Sequence, residues 1–135
     1  MTREPQTKLL HGELTAKVIE AFYQVHYELG AGFLESVYSK ALELVLREKG
    51  LSVAREVPVD VYFRGQRVGH YRADQIVESV VVLELKAGQL LDPNARGQAL
   101  NCLRASRLEV GLVLHFGPKP RFERLLYTND RKLLP

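Results

Sequence analysis

Disulfides are excluded at once. The chain has one cysteine, Cys102, so it carries no internal disulfide framework, which fits a reducing compartment. Long apolar runs are missing too. No stretch approaches the ~20 residues of a membrane span. The opening MTREPQTKLLHGELTAK has no apolar core of signal-peptide length, so a cytoplasmic protein without membrane attachment is expected. There are no repeats, low-complexity tracts or linkers, and 135 residues suit one domain spanning 1–135. No Gly-rich phosphate loop can be read, because GAG at Gly30 to Gly32 follows a helix rather than a strand. No Ser-His-Asp arrangement is readable, and His11 and His26 lack metal-ligand spacing. Charge of one sign is scarce as well: 19 basic against 16 acidic residues leave a net +3. The excess lies in the C-terminal third, with Arg96, Arg104, Lys119, Arg121 and Arg124 among its cations. A generic basic surface and contact with a polyanion both accommodate it.

Apolar residues at 46% and charged residues at 26% are an ordinary globular composition. Leu14, Val18, Phe22, Val25 and Leu29 recur at helical spacing and predict a helix over 14–29, ended by GAG. Leu34, Val37, Tyr38, Ala41, Leu42, Val45 and Leu46 predict a second, stopped by Gly50. Residues 51–88 then alternate with period two and are rich in valine and aromatics, which predicts three strands. Turns fall at Gly65 and at Glu78–Ser79. Asp92 is a plausible N-cap with Pro93 at the first position of a helix over 94–105. LEVGLVLHFG and RFERLLYT read as two more strands. The expected fold is α/β, a mixed sheet in the order ααβββαββ with helices on both faces. Strand three, the later helix and strand four form a parallel unit. Strand three is then central and buried on both faces.

That strand, VVLELKA, carries Glu84 and Lys86. Two residues apart, they leave the same face, and a buried charge needs a partner. A strand end emerging into solvent with a modest surface pair is one answer. The other is a site. Asp74 lies on the preceding strand, and the turn brings it beside Glu84. A divalent cation resolves the repulsion of two adjacent carboxylates, and oxygen donors favour Mg²⁺ or Mn²⁺. Such an ion activates water in phosphodiester hydrolysis, with Lys86 to stabilise an oxyanion or orient the water. Parity sets a condition. A two-residue turn at Glu78–Ser79 would place Asp74 opposite Leu83 and away from Glu84. The site therefore predicts an odd-numbered loop, a bulge, or a bend at Asp74 where pairing lapses. Glu35 and Tyr38 stand one turn apart on the second helix. The residues alone favour the plain reading of a first-turn glutamate placed by the helix dipole and a tyrosine packed in the core. Arg72 shares the face of Asp74, where phosphate contact and pairing with Asp74 or Glu84 are both open.

The ordered motifs resemble a known family. LGAGFLESVY contains G-x-x-E-x-x-Y as Gly32, Glu35 and Tyr38; YRADQIVE, VVLELKA and GQALNCLRAS follow at similar spacing. From about Leu14 to Gly117 the chain resembles the GxxExxY proteins, a bacterial family of the PD-(D/E)xK nuclease superfamily. The resemblance implies a restriction-endonuclease-like core. Asp74, Glu84 and Lys86 would be the motif residues, with Glu35 a further acid and Gln98 a helix glutamine near the metal-bound acids. It implies catalytic Asp74, Glu84, Lys86, Glu35 and Gln98, metal ligands Asp74, Glu84 and Glu35, and substrate contacts at Arg72, Tyr38 and Arg96. One position departs: Cys102 stands where an aromatic often follows that glutamine by four residues. The expected function is Mg²⁺- or Mn²⁺-dependent hydrolysis of nucleic acid, DNA ahead of RNA, with a homodimer or a partner protein for targeting. The alternative is a non-catalytic nucleic-acid-binding or regulatory module that keeps the fold, since +3 is light for holding a duplex unaided.

Overall fold

The computed structural model describes residues 9–132; the remainder of the 1–135 domain span lies outside them. Helix α1 is Gly12–Leu29 and α2 is Glu35–Glu48. Strands β1 (Val53–Phe63), β2 (Gln66–Val77) and β3 (Val81–Ala87) follow. Then come α3 (Ala95–Arg104), β4 (Val110–Phe116) and β5 (Pro120–Leu126). A short 3-10 turn, Asn129–Arg131, closes the described chain. The order ααβββαββ is the one the hydrophobic periods predict.

The strands form one sheet in sequence order, with β3 in the middle. β3 runs parallel to β4 and the other neighbours are antiparallel. Each face of the sheet carries a core. On one, Val18, Phe22, Tyr38 and Leu42 of α1 and α2 cover Leu83, Leu85, Leu112 and Leu114. On the other, Ala95, Ala99, Cys102 and Leu103 of α3 cover Val82 and Val113. β3 is buried on both faces, which is why its apolar run is unbroken.

Local punctuation works as the sequence predicts. Gly30 and Gly50 end the helices at φ 72° and 84°, a region where only glycine is free of Cβ strain. Arg64 and Gly65, at φ 52° and 78°, make the two-residue turn between Phe63 and Gln66. The start of α3 is a correction. Asn94, not Asp92, is its N-cap. Asp92 Oδ1 accepts the Asn94 N–H (2.8 Å) and its carbonyl accepts the Ala95 N–H. A tight turn through Pro93 thus comes before the helix.

The loop between β2 and β3 has the odd length the site requires. Val77 pairs with Val81, leaving three residues between them. The Val80 N–H closes a turn onto Val77 C=O, with Glu78 and Ser79 both at positive φ. Val80 is the extra residue that changes the parity. Only three pairs follow, ending at Gln75 opposite Leu83. Beyond that point β2 leaves β3 and continues with β1 alone. The β1–β2 ladder also skips a pair, Glu56 opposite Asp74, and Glu56 sits at φ 51°. Ala73 and Ile76 pack into the same core although an odd spacing sends side chains to opposite faces of a regular strand. β2 is therefore twisted at Asp74.

Candidate metal and nucleic-acid site at the fork of the sheet

Asp74 sits where the two strands part. Its Oδ2 accepts the backbone N–H of Leu85 at 2.7 Å. Glu84 is the residue before Leu85 and would be the next partner of Asp74 if the ladder continued. Glu84 is 5% exposed. Lys86 Nζ stands 3.4 Å from Glu84 Oε2 and 3.6 Å from Asp92 Oδ2. Leu83 and Leu85 go to the α1–α2 core, so the charged pair occupies the opposite, α3 face.

The second helix reaches the fork from the other side. Gln75 is fully buried and donates through Nε2 to Ser39 O (2.9 Å) and Ser39 Oγ (3.1 Å). That bond fastens α2 over the gap. Glu35, Ser36 and Ser39 then line a cleft of about 200 Å³ together with Glu56, Arg72 and Asp74.

The electrostatics are those of crowded acids. Burial, then the charge of Asp74, pushes Glu84 up to about 7, against the pull of Lys86. Burial also raises Asp74, although the Leu85 N–H and Lys86 work the other way. Burial disfavours the charged form of Lys86. Glu84, Glu35 and Asp92 outweigh it, and the ammonium is held above its ordinary value. Cys102 is pushed up to about 11 by burial and by the nearby Glu84 and Asp74. It is a buried thiol under the site, not a nucleophile.

A half-buried Asp and a buried Glu side by side, with a lysine two residues on from the glutamate, on a forked mixed sheet, is the P-D, E-x-K pattern in three dimensions, with Ala73 in place of proline. A family model of the PD-(D/E)XK nuclease superfamily matches residues 12–125. The chain belongs to this superfamily. No curated protein and no solved structure matches it.

PD-(D/E)XK membership implies a nucleic-acid substrate and, in general, a divalent metal. The donors present fit a hard cation. Asp74 and Glu84 supply carboxylate oxygens. The Leu85 carbonyl leaves the strand on the same edge as its N–H, beyond the last ladder pair, and adds a third oxygen. Among the described residues no three His, Cys, Asp or Glu side chains stand close enough to hold an ion together. Glu35 is exposed and lines the cleft with Asp74, and its charge helps to raise both Asp74 and Glu84.

Other expected PD-(D/E)XK residues fall in different places. Tyr38 is not a substrate contact. It is completely buried, stacks on Phe116, donates to Gly30 O and accepts the Phe33 N–H. Its ring belongs to the core, and its hydroxyl clasps the loop before Glu35. Arg72 is in the cleft and pairs with Glu56 (3.2 Å), not with Asp74 or Glu84. Arg96 is exposed and pairs with Glu123 (2.6 Å). Gln98 is half-buried on α3, one turn before Cys102 and so on the same side of the helix. Its side chain makes no hydrogen bond among the described residues. Two residues that sequence reasoning did not place here are Glu56 and Asp92. Asp92 follows the Lys86 strand within a few residues, which was a usable signal. Glu56 offered none, since only the lapse in the ladder turns it to the cleft.

Among the described residues no helix is long and apolar enough to cross a membrane.

Proposed function

We propose that the protein is a metal-dependent nuclease of the GxxExxY group, hydrolysing phosphodiester bonds in nucleic acid, DNA ahead of RNA, with Mg²⁺ or Mn²⁺ as its ion. Gly32, Glu35 and Tyr38 in sequence support the group. The observation that carries the reading is the meeting of Asp74, Glu84 and Lys86 at the fork. Structural ion pairs alone do not need a half-buried and a buried carboxylate, both with raised pKa values, beside one lysine. The lone thiol of Cys102 supports action in the cytoplasm.

A divalent ion bound here would neutralise charge on the phosphate and lower the pKa of a water. The side chains divide the remaining work. Asp74 and Glu84 would hold the ion, and the Leu85 N–H fixes one oxygen of Asp74, leaving the other for it. Lys86, tethered between Glu84 and Asp92, presents its ammonium to a phosphate oxygen or to the attacking water. Arg72 reaches a flanking phosphate by exchanging its exposed partner Glu56, a pair worth under about 1 kcal/mol. Glu35 closes the cleft from α2, and Gln98 orders the site from α3. Net +3 is light for gripping a duplex, so a second copy or a partner protein assists targeting.

The test is cleavage of single- and double-stranded DNA and RNA with Mg²⁺ or Mn²⁺, comparing wild type with Lys86→Ala. Metal-dependent cleavage lost in the variant is expected. Binding without cleavage by the wild type would instead establish a nucleic-acid-binding module that has given up its chemistry.

A further inference from the structure

A second cavity, of about 270 Å³, opens beside the site between the loop after β3 and the β4–β5 turn. Leu90, Leu91, Pro118, Lys119 and Arg121 line it, with His115 at its floor. The sheet register relates it to Lys86. Lys86 pairs with His115 on β4, and His115 with Arg121 on β5. Paired residues share a face. Glu123, two residues on from Arg121, meets Arg96 of α3, which confirms that this is the Glu84 face. Three basic side chains thus stand abreast on neighbouring strands, in a row about 10 Å long at ~4.8 Å per strand.

Both walls are fastened. His115 Nε2 donates to Gly88 O (2.9 Å), tying the β3 loop to β4. His26 Nε2 donates to Gly117 O (2.7 Å), tying the β4–β5 turn to α1. The His115 ring lies so close to Gly117 that a Cβ there would approach within 2.4 Å, so the turn needs glycine. The chemistry of the walls is mixed. Lys119 and Arg121 have no carboxylate partner among the described residues, unlike Arg72 and Arg96. Leu90 is 87% exposed.

Two unpaired cations suit a phosphate, and an exposed apolar side chain suits the face of a base. The volume is close to the lower end of ligand clefts, about 300 Å³, enough for one nucleotide and not for a duplex. We propose that this cavity is a nucleotide subsite of the same active centre: Lys119 and Arg121 take the neighbouring phosphate of the substrate strand, and Leu90 packs on its base. A base held this way has left the duplex stack. The preferred substrate is therefore single-stranded nucleic acid or a frayed strand end. The proposal rests on the nuclease reading above.

The test measures binding of a fluorescently labelled oligonucleotide to the full chain across a salt titration. K119A/R121A is expected to lose about tenfold in affinity and to flatten the salt slope by about 0.7, for the one single-strand phosphate the two cations share. Lys17→Ala, which removes a cation beside Glu78 on the far side of the fold, leaves both unchanged. Leu90→Ser weakens binding to the intact strand but not to one with abasic residues. A wild-type slope in K119A/R121A overturns the subsite and leaves the nuclease reading standing. Blunt duplex bound as tightly as single strand overturns the proposed substrate class. A wild type that neither binds nor cleaves nucleic acid overturns both readings.

Discussion

The carboxylate of Asp74 takes the place of a backbone carbonyl. Its Oδ2 accepts the Leu85 N–H at 2.7 Å, a donor that an unbroken β2–β3 ladder would give to the backbone of Ala73. β2 can therefore leave β3 without orphaning a buried N–H. The same bond holds one candidate ligand against the backbone next to the other, Glu84.

Asparagine at this position keeps an oxygen acceptor and removes the charge that raises Glu84. Without metal at pH 8, Asp74→Asn is expected to be at least as stable as the wild type. Asp74→Ala should be less stable than Asp74→Asn by about 1–2 kcal/mol, because the Leu85 N–H loses its partner. Urea denaturation of the two variants measures this, and equal midpoints would show that the bond contributes nothing.

The raised Glu84 gives the metal-free protein a defined pH dependence. An acid whose folded pKa lies above its unfolded value binds more protons when folded, so stability falls as pH rises between the two. For Glu84 that window runs from 4.5 to about 7, and Asp74 shifts in the same direction. Glu84→Gln should flatten the decline and stabilise the protein at pH 8 by about 2–3 kcal/mol. Stability measured in chelator at several pH values decides this. A curve that rises from pH 5 to 8 would contradict the raised value.

Metal binding must displace the Glu84 proton. Mg²⁺ or Mn²⁺ should raise the melting temperature at pH 8 and much less at pH 5.5. At a hundred times Kd the stabilisation is about 2.7 kcal/mol. Asp74→Asn and Glu84→Gln should abolish the shift. Glu35→Gln should keep most of it, because Glu35 is exposed and forms no three-ligand group with Asp74 and Glu84 among the described residues. Complete loss in Glu35→Gln would make Glu35 a ligand.

Tyr38→Phe tests the corrected role of the motif tyrosine. It removes the bonds to Gly30 O and from the Phe33 N–H while leaving the stacked ring in place. A loss of about 1–2 kcal/mol is expected, with nucleic-acid affinity retained. Weaker affinity at unchanged stability would return Tyr38 to the substrate.

Much of the architecture was legible because it depends on short-range rules. The glycines at 30, 50 and 65 end or turn their elements by backbone sterics alone. The apolar run before Glu84 marks a strand covered on both faces. The start of helix α3 is ambiguous in the sequence because one aspartate can cap a helix or make a turn ahead of it, and both use the same N–H acceptor chemistry. Tyr38 was open for a similar reason. A tyrosine on an amphipathic helix can bury its ring or offer its hydroxyl, and only the packing of Phe116 against it decides.

Period-two alternation by itself put Glu84 and Lys86 on one face, with the leucines on the other. It left the position of Asp74 undetermined, because a single extra residue reverses every pairing that follows. Tertiary structure settled that parity by placing Val80 as the extra residue and by breaking the ladder at Glu56 and Asp74. The reason is physical. Ala73 and Ile76 must both reach the core under α3, and a strand can send two residues of odd spacing to one side only by twisting between them. The twist falls on Asp74, and the gap it opens is the cleft.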